Sequence, residues 1–95
     1  HGEAVAIGLL YAAEVAYRLG RIDAEAVAEH RRVIGAYELM DRVPPGPSDD
    51  ELIALFARDK KATREVTFVL DGPDGVEAVT GISDEVLRDA LAAVR

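Results

Sequence analysis

Between Glu3 and Glu14 the chain runs through ten uncharged residues, AVAIGLLYAA, half of them Ala or Gly. A stretch like this can wind into a helix, but a helix apolar on nearly every side has to be buried against other elements. Residues 3–19 read as that helix, with Gly20 placed for a left-handed C-cap. Glu14 and Arg18 stand four apart and form its one polar stripe. Ala4, Ala6, Gly8, Ala12, Ala13 and Ala16 allow close approach of neighbours rather than filling volume. The run is too short to span a bilayer, and its flank HGE lacks the basic region of a signal peptide. Such a helix at the head of 95 residues that do not begin with Met predicts the C-terminal part of a larger protein.

The remaining pattern is also mainly helical. Asp23 caps a second helix over 24–41, whose inner face is set by Val27, Ile34 and Tyr37, with Val33 and Met40 alongside. VPPGPS breaks the chain. Ser48 with Glu51 three residues later is a capping box for a third helix, 49–60, burying Leu52, Ile53, Leu55 and Phe56. The period then changes: VTFVL (66–70) and VEAVT (76–80) flank DGPDG and read as a β-hairpin. Ser83 caps a last helix over 84–94 that turns Val86, Leu87, Ala90, Leu91 and Val94 inward. The expected fold class is therefore mainly α, in the order α-α-α-ββ-α, a single domain over 1–95. A two-stranded hairpin is marginal alone, so it must lie against the helices or another domain.

With about half its residues hydrophobic, the chain can build one modest core. Its net charge of −7 argues against nucleic acid and anionic membranes as partners. The absence of Cys removes disulfides and thiolate metal sites and agrees with a cytoplasmic protein.

Few residues suggest chemistry by themselves. His1 is a candidate zinc ligand, but a catalytic zinc takes about three protein ligands and the spacing around His1 offers no second. Glu3 is simplest as a first-turn acid complementing the helix dipole. His30 falls on the apolar stripe of the second helix and reads as a half-buried packing residue. RDKKATR gathers Arg58, Lys60, Lys61 and Arg64, either as cations at a helix C-terminus or as an anion site for phosphate or carboxylate. DGPDG lacks the spacing of a calcium loop and reads as a turn, and no nucleotide-binding glycine motif occurs.

Taken together, HGEAVAIG, the small-residue helix, RDKK and TFVL resemble, in order and over essentially the whole chain, the C-terminal domain of the 3-dehydroquinate synthase family of sugar-phosphate cyclases. The resemblance implies a helical metal- and substrate-binding domain of a larger α/β-plus-α enzyme, whose N-terminal domain binds NAD. It implies conversion of the seven-carbon sugar phosphate DAHP to 3-dehydroquinate with loss of phosphate, in the shikimate pathway, by an NAD- and metal-dependent lyase. His1 matches a ligand of Zn²⁺ (or Co²⁺), and Lys60 a lysine that contacts substrate near its phosphate, with Lys61 the alternative register. Glu3 matches a motif position close to the ligand. The other two ligands and the NAD site lie upstream in the family, so this stretch alone is expected to be inactive. A homodimer is implied as well. Relatives often carry a glycine after DKK where this chain reads ATREV. Two alternatives stay open: a related cyclase (2-deoxy-scyllo-inosose synthase or an amino-dehydroquinate synthase), and a non-catalytic helical scaffold domain.

Overall fold

The computed structural model describes residues 2–39, 42–56, 58–59, 66–73 and 75–95, leaving aside the side chains of 2–4, 58–59 and 66–67. Among the described residues the order is α1 (Gly2–Arg18), α2 (Ala24–Ala36), α3 (Asp49–Phe56), β1 (Arg58–Asp59), β2 (Val66–Leu70), β3 (Glu77–Val79) and α4 (Asp84–Ala92). The mainly helical class with a small antiparallel sheet is the one the sequence predicts. No helix among the described residues is long and apolar enough to cross a membrane.

The largely apolar helix α1 is the centre of the fold and meets α2, α3, α4 and β2. Ala6, Ile7, Leu10, Tyr11, Ala13, Val15 and Ala16 are all buried along it. Tyr11 is fully buried, and its hydroxyl donates to the Leu87 carbonyl of α4 at 2.9 Å. That bond compensates the loss of water around the phenol. Burial holds the phenol well above its usual pKa, with Arg88 pulling weakly the other way. The Tyr11 ring meets Phe56 at 5.4 Å and the edge of Phe68 at 5.8 Å, so one side chain joins α1, α3, α4 and β2.

Glu14, the buried charged residue among those described, is 7% exposed, and its carboxylate is held by Arg18 at 2.5 Å and Arg31 of α2 at 3.7 Å. A carboxylate so enclosed is tolerable only with such partners. The polar stripe legible at Glu14 and Arg18 is thus an internal tie rather than a wet face.

The caps form where the sequence places them. Asp23 accepts from the Ala26 amide at 2.9 Å, and Ser83 from that of Val86 at 3.2 Å. At α3 the box is reciprocal: the Glu51 amide donates to Ser48 Oγ (3.2 Å) and the Ser48 amide to Glu51 Oε1 (3.1 Å). On α4, Leu87, Ala90 and Leu91 are buried, as is Val94 just beyond, while Val86 packs at the edge of the core.

Three expectations need correction. The second helix stops at Ala36, not 41. The chain turns there through a left-handed Glu38 (φ 57°), with the Glu38 amide bonded to Gly35 O and the Leu39 amide to Ile34 O. Tyr37 and Val33 consequently face outward, 75% and 46% exposed. α3 ends at Phe56, and Leu55 lies on its outer side. Met40 lies outside the described residues.

The hairpin pairs Phe68 with Val79, Val69 with Ala78 and Leu70 with Glu77. Phe68 and Leu70 alternate inward to meet the core, and Val69 points out. On the other edge of β2 the short β1 adds a third strand, Arg58 opposite Thr67 and Asp59 opposite Val66. Arg21 secures the hairpin to the end of α1, donating to the Asp71 carbonyl at 3.0 Å and the Glu77 carboxylate at 2.8 Å. Its guanidinium lies against Gly72, where a Cβ would come within 2.5 Å of Nη2. No side chain fits there without displacing the arginine.

Candidate functional site

In sequence the two motifs adjoin two packed segments. α1 begins at Gly2, one residue after His1, and β1 ends at Asp59, one residue before Lys60. His1, Lys60, Lys61 and Arg64 lie outside the described residues, as does the side chain of Glu3. What the structure fixes is the support behind them. Phe56, four residues before Lys60, lies against Gly8, where a Cβ would approach the ring to 3.3 Å. Glycine at position 8 therefore lets the end of α3 settle on the second turn of α1. β1 continues from there and is pinned along β2, which itself packs on α1. The segment leading to Arg58 and Asp59 is thereby anchored on the N-terminal half of α1.

His30 is half-buried, as its place on the apolar stripe suggests. Its Nδ1 is 2.8 Å from the Ala26 carbonyl and its Nε2 is 3.5 Å from the Asp71 carboxylate. It bridges α2 to the connection that follows β2, a packing role. DGPDG contributes Asp71 to that bridge and turns through Gly75, whose amide bonds to Gly72 O. Among the described residues no group of three His, Cys, Asp or Glu side chains is arranged to hold a metal ion.

The all-round apolar character of the opening helix implied a surface awaiting further cover, and the structure locates it on the outward side of α1. Leu9 stands between two open grooves. One, of about 290 Å³, is bounded on α2 by Glu29, His30, Val33 and Ile34. The other, of about 220 Å³, is bounded by Val5, Gly8, Phe56, Phe68 and Val69. Their linings are mainly apolar. The spacing 5, 9, 12 that marks this side was visible in the sequence, but the uniform hydrophobicity of the run hid which side would be left open.

Comparison with known proteins bears on both the motif and the helix that carries it. The sequence model of the family "3-dehydroquinate synthase C-terminal" matches residues 1–62. The chain belongs to this family. A relative in Amycolatopsis mediterranei, provisionally named aminodehydroquinate synthase, is 42% identical over 96% of this chain and 26% of its own length. The 3-dehydroquinate synthase of Thermosynechococcus vestitus is 38% identical over 96% of this chain and 25% of its own length. The 2-deoxy-scyllo-inosose synthase of Micromonospora echinospora is 39% identical over 64% of this chain. The chain spans about a quarter of the length of the first two of these relatives.

Proposed function

We propose that this chain is the C-terminal metal- and substrate-binding part of a 3-dehydroquinate synthase, a phosphate-eliminating lyase that forms 3-dehydroquinate from DAHP in the shikimate pathway. The observation that carries the reading is the family match running from the HGE motif to the lysine pair, residues 1–62. In this reading His1 is one ligand of a Zn²⁺ or Co²⁺ ion, and its position is fixed by the buried helix it precedes. Lys60, or Lys61 in the neighbouring register, receives the substrate phosphate, where a flexible ammonium suits a multiply charged anion. Glu3, in the first turn of α1, steadies that helix end and the imidazole beside it.

One imidazole does not make a metal site, and the described residues add no donor set to it. The remaining ligands and the NAD-binding domain are assigned to the part of the protein upstream of His1. The metal supplies Lewis acidity toward hydroxyl and carbonyl oxygens when bound. Catalysis then belongs to the full-length protein, a cytoplasmic homodimer in this proposal, and this stretch alone is inactive.

A second reading is favoured by a specific observation: the relative at 42% identity is provisionally named aminodehydroquinate synthase. The experiment that separates them is an assay of the purified full-length protein with DAHP, with its amino analogue and with glucose 6-phosphate, following phosphate release and NAD dependence. Turnover of DAHP supports the first reading; turnover of the amino analogue alone replaces it with the second. No turnover of any of them, with no NAD bound, returns the chain to a scaffold role. In the active protein His1→Ala removes bound metal and activity together, and Lys60→Ala raises KM more than it lowers kcat.

A further inference from the structure

The outward side of α1 is an unfinished interior. Val5 and Leu9 are 57% and 59% exposed, and Val33 of α2 and Val69 of β2 are 46% and 40% exposed. Leu9 belongs to both grooves, so the four residues form one continuous apolar surface across α2, α1 and β2. Continuous apolar surfaces of this kind are interaction sites, whereas single exposed apolar residues mean little. Glu29 and His30 also line the groove on α2.

We infer that this surface is the seat of the chain segment immediately preceding His1, which packs across Leu9 and fills both grooves. The inference rests on the proposal that the chain is the C-terminal part of a longer enzyme, and three observations select this occupant. The chain spans about a quarter of the length of its relatives, so most of such an enzyme lies outside these residues. The open stripe at 5, 9 and 12 continues in the sequence, at helical spacing, to position 1. A segment joined at that point meets the surface at the high effective concentration of an intramolecular contact. A second copy of the chain has no such advantage.

The test is thiol accessibility in the native full-length protein. No cysteine occurs in these residues, so Leu9→Cys and Val33→Cys introduce probes that mass spectrometry locates by peptide. Glu85→Cys, on an exposed position of α4, is the reference. The expected result is labelling at positions 9 and 33 at least ~100-fold slower than at 85, at every protein concentration, with the difference abolished in denaturant. Should Leu9→Cys not fold, Val33→Cys carries the test alone, because its side chain lies at the surface of these residues. Labelling at the reference rate overturns the inference. So does protection that disappears on dilution to monomer, which assigns the surface to a second copy. Substrate turnover is measured on the same samples: protection without turnover keeps the docking surface and rejects the catalytic proposal, and turnover without protection does the reverse.

Discussion

The two sides of α1 are made of the same kinds of residue and meet opposite fates. Inward, Leu10, Tyr11 and Val15 are wholly enclosed, and the one polar atom of the three side chains, the Tyr11 hydroxyl, has its bond to Leu87. Outward, Val5 and Leu9 stand more than half exposed, with Leu9 between two grooves. Hydropathy does not distinguish the sides; partners do. Inward, α4 and β2 each bring an amphipathic face at the right spacing, so that side closes within these residues. Outward, no element among the described residues arrives to cover the helix. A helix apolar all round therefore reports how much must be covered, and only the neighbouring periodicities report how much of the cover is local.

The largest way to break this comparison is Tyr11→Ala in the full-length protein. It opens a cavity where four elements meet and strands the Leu87 carbonyl, with an expected cost of about 4 kcal/mol read as a shift in denaturant midpoint. Leu9→Ala is the sharper probe. A side chain left open costs less than about 0.5 kcal/mol on truncation, while a covered one costs 2 or more, about. The docking inference predicts the second, and a cost within error of zero would show that both sides of α1 are already in their final state. Tyr11→Phe keeps the packing and removes one hydrogen bond, for about 1 kcal/mol in the same measurement.

The smallest effect is one of pH. Bonds from Ser48 hold the Glu51 carboxyl below its ordinary value of 4.5, the backbone bond first and the hydroxyl second. A carboxyl depressed in the folded state adds stability above its unfolded pKa and loses it as pH falls through the folded value. Glu51→Gln should lower stability slightly at neutral pH and leave it nearly unchanged well below pH 4.5, so that the acid limb flattens. This exposed cap is remote from either side of α1, and a large neutral-pH effect would mean that α3 is poorly held.

Much of the fold was legible because its signals are local. Asp23, Ser48 with Glu51, and Ser83 each start a helix by satisfying amides within three residues, and the alternation of VTFVL is readable without any partner. The end of α2 was not legible, because it turns on Glu38, a residue with no intrinsic taste for a left-handed backbone. β1 is two residues long, and its pairing with β2 is a tertiary contact with no local signal. The candidate site was legible in a different sense. HGEAVAIG and RDKK name a family, but a metal ligand and an anion-binding lysine mean little by spacing when their chemical partners are absent from the stretch. The geometry contributes the packed base beneath both motifs.

The turn at Glu38 has a practical use. Gly20 and Glu38 close their helices by the same pair of backbone bonds at φ 77° and 57°, but only the first is a residue suited to that conformation. Glu38→Gly relieves a local backbone penalty of about 1 kcal/mol. It thus offers a sturdier parent sequence in which damaging substitutions at Tyr11 or Leu9 can be expressed, purified and compared.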